Sequence, residues 1–141
     1  MDETDRRLIE ALRADARAPT ARLARELGLS RTTVQSRLER LERSGVIAGY
    51  TVRLSDAHEQ GQIHAYVLMT VSHRFTAPVI TAIRKLRQAR LLQSVSGPFD
   101  LICELVTPTV AEMDACIDQL GALEGVERTT STIVLSTKLT R

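Results

Sequence analysis

The sequence predicts an α+β fold built in two parts, and three observations carry the prediction. Up to Gly45 the apolar residues recur at helical spacing. From Ile63 onward, β-prone runs and amphipathic helices follow one another as strand, helix, strand, strand, helix, strand. Between them, Ser55 to Gln62 is polar and contains a glycine, as a linker does. The second order is the split βαβ, or ferredoxin-like βαββαβ, arrangement, which lays two helices on one face of a four-stranded antiparallel sheet. The other face is left bare with apolar residues from several strands, and a partner subunit is expected to cover it.

Each element follows from its residues. Leu8, Ile9 and Leu12 give the first helix its apolar stripe, and Pro19 marks the break after it. Thr20 can cap a short second helix with Leu23, Ala24 and Leu27 on its inner face; Gly28 ends it where a left-handed residue is wanted. Ser30 is a good N-cap for a third helix carrying Val34, Leu38 and Leu41, which Gly45 closes. Val46 to Leu54 is β-prone and predicts a short strand or wing. In the run from Ile63 to Ser72, Ile63, Ala65, Val67, Met69 and Val71 form the more apolar face of a strand. Thr76 and Pro78 open a helix bearing Val79, Ile83 and Leu86. Leu91–Ser96 and Leu101–Val106 are strand-like, and the turn-like Gly97-Pro98-Phe99-Asp100 between them suggests a hairpin. Pro108 and Thr109 precede a helix with Val110, Met113, Ile117 and Leu120 on one side. Gly125 ends that region, and Val126 to Leu139, free of Gly and Pro, suits a final strand.

Composition excludes several function classes. The chain has 141 residues, 43% apolar and 26% charged, which fits an ordinary globular protein with room for one small unit and one larger. No apolar run approaches the roughly 18 residues of a membrane span, and the acidic start Met1-Asp2-Glu3-Thr4-Asp5 is not a secretory signal. A cytoplasmic chain without membrane contact is expected. Cys103 and Cys116 lack metal-knuckle spacing and read as small buried hydrophobes, and His58, His64 and His73 are scattered singly, so no metal site is expected. No glycine-rich phosphate loop and no nucleophile with a base appears, so no catalytic residue is assigned and an enzyme is not expected. Net charge is only +2, but residues 1–53 hold eleven arginines against eight carboxylates. Over residues 22–53, Arg22, Arg25, Arg31, Arg37, Arg40, Arg43 and Arg53 face Glu26, Glu39 and Glu42, an excess of +4. That suits a phosphate-facing surface. It equally suits a solvated helix face laced with ion pairs, such as Glu39 with Arg43.

Residues 20–41 carry the sharper signal. A tight helix-turn-helix needs a small residue where its helices cross, a glycine in the turn and a branched apolar residue in the second helix; Ala24, Gly28 and Val34 supply them, with Leu23, Leu27, Leu29 and Leu38 inside. Residues 1–54 are accordingly read as a winged-type helix-turn-helix unit with a following strand, 55–62 as the linker and 63–141 as the ferredoxin-like unit. At about 100° per residue, Val34, Leu38 and Leu41 point inward together, Thr32, Ser36 and Arg43 point away, and Thr33, Gln35 and Arg40 lie on the flanks. The start of such a helix meets base edges, which makes Arg31, Thr32, Gln35 and Ser36 the base-reading candidates; Gln can be bidentate to adenine and Arg to guanine. Arg22, Arg37 and Arg40 are phosphate candidates, the helix N-terminus itself can also receive a phosphate, and Ser30 and Thr33 complete the set of DNA-binding candidates. Double-stranded DNA is the expected partner.

Four stretches together resemble the leucine-responsive regulator/asparagine regulator (Lrp/AsnC) family. They are Thr4 to Ile9, Leu29 to Leu38 with Leu41 to Ile47, Ser96-Gly97-Pro98-Phe99-Asp100, and Gly125 to Thr132; their order and spacing span nearly the whole chain. The resemblance implies a sequence-specific transcriptional regulator modulated by an amino acid or related metabolite, with no cofactor beyond that effector. It implies a homodimer formed sheet to sheet that assembles further, commonly into an octamer, with 63–141 as the effector-binding and oligomerisation part. Carried over, Gly97, Phe99 and Asp100 line the effector site, with Thr130 and Thr132 as additions from the last strand. Phe99 stands where the family often has tyrosine; without the hydroxyl the pocket is more apolar. On the residues alone, Gly97 to Asp100 is also simply a good turn.

Two other classes compete. A nucleoid-associated architectural protein shares the helix-turn-helix and differs in its specificity ratio; binding to the chain's own upstream DNA against random DNA separates the two. A ferredoxin-like regulatory module of amino-acid metabolism needs no DNA, and DNA binding without turnover excludes it.

Overall fold

The computed structural model describes residues 1–140, and the chain divides between Arg53 and Leu54 into two compact units. The N-terminal unit is three helices: α1 (Glu3–Ala14), α2 (Thr20–Leu27) and α3 (Arg31–Arg43). Leu8, Leu23, Ala24, Val34 and Leu41 are its buried core, with Ile9, Leu12, Leu27, Leu29, Leu38 and Ile47 packed against them. These are the apolar positions of each helical stripe, so periodicity alone places the core. Asp2 and Asp5 cap α1 reciprocally, each carboxylate accepting the other's backbone N–H. Thr20 does not cap α2 as expected: the helix begins at Thr20 itself, because Pro19 takes the cap position with a φ of −59° and no side chain caps the end. Gly28 ends α2 at a φ of +68°, a left-handed conformation that returns the N–H of Leu29 to the carbonyl of Ala24. Ser30 caps α3, its Oγ accepting the N–H of Thr33 at 3.1 Å.

The β-prone run after α3 forms neither strand nor wing. A strand needs a ladder partner for its backbone groups, and the N-terminal unit contains only helices among its described elements. The run is instead tied to α3 at two points. The N–H of Ile47 reaches the carbonyl of Leu41 at 3.0 Å, and the Tyr50 hydroxyl donates to Glu42 at 2.8 Å. Val46, Tyr50, Val52 and Leu54 are exposed.

In the C-terminal unit the stretch read as linker carries a four-residue helix, α4 (Asp56–Glu59), capped by Ser55. The rest is β1 (Ile63–Val71), a 3-10 turn (His73–Phe75), α5 (Thr76–Arg84), β2 (Ala89–Ser94), β3 (Leu101–Thr107), α6 (Val110–Gly121) and β4 (Val126–Ile133). The four strands form one antiparallel sheet in the order β2-β3-β1-β4, the ferredoxin-like arrangement the sequence predicts. Strand β4 stops at Ile133, well before Leu139. Its register explains why: Ile133 is opposite Ala65, so the start of β1 is reached, and only Val134 adds one more bond, to the His64 carbonyl.

Alternation sorts the sheet into two faces. Ala65, Val67, Met69 and Val71 of β1 and Leu101, Cys103 and Leu105 of β3 pack with Val79 and Ile83 of α5 and Met113, Cys116 and Leu120 of α6. Both cysteines are free and buried in this core; burial pushes the Cys103 thiol up to about 11, and the Cys116 thiol up as well. On the other face the register aligns Tyr66 with Glu104 and Thr132, and Leu68 with Ile102 and Thr130. Leu91 and Gln93 of β2 extend that face, and Tyr66 and Leu91 are exposed on it. At one end of the sheet Gly125, at a φ of +94°, lies against Phe75 so closely that a Cβ on it would fall 2.1 Å from the Phe75 Cβ. Its carbonyl accepts the N–H of Ser72 at 2.7 Å, fastening the start of the 3-10 turn to β4.

Candidate nucleic-acid interface and effector hairpin

The solvent face of α3 brings four predicted residues together. Arg31, Thr32, Gln35 and Ser36 line one shallow depression with Thr20 of α2 and Glu39 one turn further along. Thr20 and Glu39 are not among the base-reading candidates of the sequence. Glu39 is signalled only by its i+4 spacing from Gln35, whose amide donates to it at 3.0 Å. Ser30 and Thr33 are engaged in the cap itself, their hydroxyls 2.7 Å apart. Arg31 makes no ion pair among the described residues, so its charge is free at the start of the helix.

The predicted phosphate candidates are differently placed. Arg22 is paired, at 3.0 Å to Asp15 and 3.1 Å to Glu26. Arg37 and Arg40, one turn apart on α3, both turn toward the start of α1. Arg37 donates through one nitrogen to Asp2 and to Asp5, each at 2.7 Å, and its side chain is only 22% exposed. Arg40 donates through Nη2 to both oxygens of Asp5 at 2.8 Å, while its side chain remains 56% exposed. Asp5 is 1% exposed. Its pKa falls to about 2, chiefly because the Asp2 N–H donates to the carboxylate, with Arg37 and Arg40 adding to the effect against burial. Arg37 likewise holds the Asp2 carboxyl below its ordinary range. The basic excess of residues 22–53 is therefore partly consumed inside the unit: of its arginines, Arg22, Arg37 and Arg40 face carboxylates, whereas Arg25, Arg31, Arg43 and Arg53 form no ion pair among the described residues. The charge count cannot show this, since Asp2 and Asp5 lie far away in sequence. The signal that could have pointed to them is the Asp2-x-x-Asp5 capping spacing.

In the C-terminal unit the β2–β3 hairpin closes at Val95 and Asp100, the Val95 N–H donating to the Asp100 carbonyl at 3.0 Å, with Ser96 to Phe99 as the loop. Asp100 thus stands just before β3, at the end of the connecting loop, and is tied to β1 as well. Its N–H reaches the Met69 carbonyl at 2.9 Å, and its Oδ2 accepts the N–H of Val71 at 2.8 Å. Gly97 is exposed and Phe99 half-buried. Thr130 and Thr132 belong to β4, and β1 stands between that strand and the hairpin strand β3. Within one chain the five effector candidates thus form two groups. Near the other end of the open face, His64, Tyr66 and Glu104 share a groove of about 490 Å³ with residues 59–62 and 134–137, and the His64 Nδ1 stands 3.6 Å from Glu104.

Two helices joined by the Gly28 turn, the second with a polar, partly basic outer face, followed by a four-stranded sheet backed by two helices, are the architecture of a helix-turn-helix protein with a second, ferredoxin-like unit. Comparison with known proteins makes the assignment specific. Residues 1–42 match the AsnC-type helix-turn-helix domain and residues 64–141 the Lrp/AsnC ligand binding domain. The chain is 31% identical over 136 residues to the HTH-type transcriptional regulator LysM of Sulfurisphaera tokodaii, covering 96% of this chain and 95% of that protein. It is 30% identical over 141 residues to the leucine-responsive regulatory protein of Escherichia coli, covering 96% and 85%. Its fold is shared with E. coli AsnC, at a TM-score of 0.89 and 20% identity over 100% of this chain and 96% of that one. A Neisseria meningitidis transcriptional regulator solved in complex with L-Met gives the same TM-score of 0.89 at 20% identity, covering 99% and 93%. The chain belongs to the Lrp/AsnC family of helix-turn-helix transcription regulators.

Proposed function

We propose that this regulator binds duplex DNA as a dimer or larger assembly, reads bases through Arg31, Thr32, Gln35 and Ser36, and is modulated by an amino acid bound near the β2–β3 hairpin. The observation that carries the DNA half is the single solvent-facing depression on which these four side chains converge. It lies at the start of a capped helix, where base edges are usually met. The half-exposed Arg40, one turn beyond Ser36, supplies a phosphate contact beside it, and Arg43, without an ion pair among the described residues, a second; Arg22 and Arg37 are held by carboxylates. The uncovered apolar face of the sheet, with Tyr66, Leu68, Leu91 and Ile102, supports pairing between copies of the chain.

Binding-site selection with wild type and Gln35→Ala tests the base-reading assignment. The substitution changes preference at one position per half-site, since a bidentate base contact is worth about 1–3 kcal/mol of discrimination. Wild type that selects no sequence over random DNA would instead indicate an architectural binder. The effector half rests on the family match and on the hairpin. Calorimetry against the twenty amino acids tests it, followed by a gel shift with the best binder. Asp100→Asn is the informative variant: its amide oxygen can still accept from the Val71 N–H, whereas alanine would leave that donor without its partner. Ligand response lost in Asp100→Asn, with ligand-free DNA binding kept, supports a charge-assisted contact to an α-ammonium group. An unchanged response shows that the Asp100 carboxylate only ties the hairpin to β1.

A further inference from the structure

We propose that Asp5 is a positioning residue for DNA binding, acting through Arg40: the buried carboxylate holds one edge of the Arg40 guanidinium so that its other edge meets a DNA phosphate already ordered. This rests on the DNA-binding role of α3 proposed above. Three observations support it. First, Asp5 is almost completely buried and all its contacts are local to this corner: the Asp2 N–H, Arg37 and Arg40. It is a fixed anchor, itself fastened at the start of α1 by the capping box. Second, Arg40 meets that anchor with Nη2 alone, 2.8 Å from both oxygens, and is still 56% exposed. A guanidinium carries five N–H donors in a planar fork, so one edge can be held while the remaining donors face solvent. Third, Arg40 follows Ser36 by four residues, so it stands one turn along α3 beside the depression that Ser36 helps to line. A phosphate bordering that depression is the ligand such a held fork fits.

Arg37 and Asp2 have a different part in the same cluster. Arg37 is turned inward between two carboxylates and offers little surface, so it ties α3 to α1 and leaves the outer contact to Arg40. The gain from holding Arg40 is entropic. Ordering a long side chain at an interface costs about as much as a two- to tenfold change in affinity, and here the folded unit has done that ordering beforehand.

The prediction runs against simple electrostatics, which makes it decidable. Removing a negative charge near DNA should strengthen binding if nothing but net charge matters. We expect Asp5→Asn in the full chain to weaken binding about two- to tenfold, and to have no effect in an Arg40→Ala background. Each variant's melting curve is recorded alongside, because Asp5 also belongs to the capping box. A second variant avoids that risk: Arg40→Lys keeps the charge and can still pair with Asp5, but an ammonium has no second edge to present. It should bind nearly as weakly as Arg40→Ala with its melting temperature unchanged. Wild-type affinity in Arg40→Lys, stronger binding in a folded Asp5→Asn, or an equal loss in both backgrounds each overturns the proposal. If wild type itself fails to bind duplex DNA, the reading of α3 fails; if wild type binds and the Asp5–Arg40 coupling is absent, only the positioning role does.

Discussion

At the scale of single residues, two positions are set by close contacts. Gly125 combines a φ of +94° with a backbone pressed on Phe75. Gly125→Ala should destabilise the chain by about 3 kcal/mol, summing a strained left-handed residue and an overpacked contact; urea unfolding measures it. Truncating Phe75→Ala in the same chain should rescue little, because the nearest obstructing atom is the Phe75 Cβ itself. A loss below about 1 kcal/mol would mean that the turn simply moves aside. Asp5 makes the second case, and its prediction concerns pH. The folded chain holds this carboxyl at about 2 against an ordinary 3.8, so the unfolded chain binds the proton more readily between those values. The stabilisation is fully present above about pH 4 and is lost as pH falls through about 2. Methyl resonances of Leu8 and Val34, followed from pH 5 to 1.5, should show this loss in wild type and a flatter profile in Asp5→Asn. Identical profiles would remove Asp5 from the account of acid stability.

At the scale of elements, local chemistry explains most of what forms. Helical stripes, the Gly28 turn, the Ser30 cap and the β1 alternation are all legible in the sequence because each is a short-range effect. Ser30→Ala should cost the N-terminal unit about 1 kcal/mol, the usual worth of a helix cap. If DNA affinity falls only in proportion to that lost stability, Ser30 serves α3 and does not touch DNA. What the sequence hides is whatever depends on a distant partner. Val46 to Leu54 has the composition of a strand, yet it makes none, because β propensity is realised only against a neighbouring strand and no described strand lies in its unit. The last strand ends early for the related reason that β1 runs out at Ile63. The candidate site shows the same division. The outward set on α3 follows from helical geometry, whereas the inward turn of Arg37 and the half-held Arg40 depend on Asp2 and Asp5, more than thirty residues away. Asp100 reads as a turn residue, and only the structure shows that its N–H and carboxylate also tie the end of the hairpin to Met69 and Val71 of β1.

At the scale of the whole molecule, the two units have separate cores with no residue in common. A fragment starting near Gln62 should therefore fold, associate through its sheet and fail to bind DNA; light scattering and a gel shift decide it, and a well-folded monomer would refute association through the open face. The intact chain should lose DNA affinity steeply as salt rises, as phosphate contacts require. The core of the C-terminal unit holds both cysteines of the chain. Cys103 and Cys116 are shut inside it with their thiols held protonated, and only an exposed thiolate reacts readily with an alkylating reagent. Neither thiol can be labelled until the sheet and its helices part. The rate at which a thiol reagent consumes them is thus a clock for how often this unit opens, and a bound effector that steadies it should slow the clock.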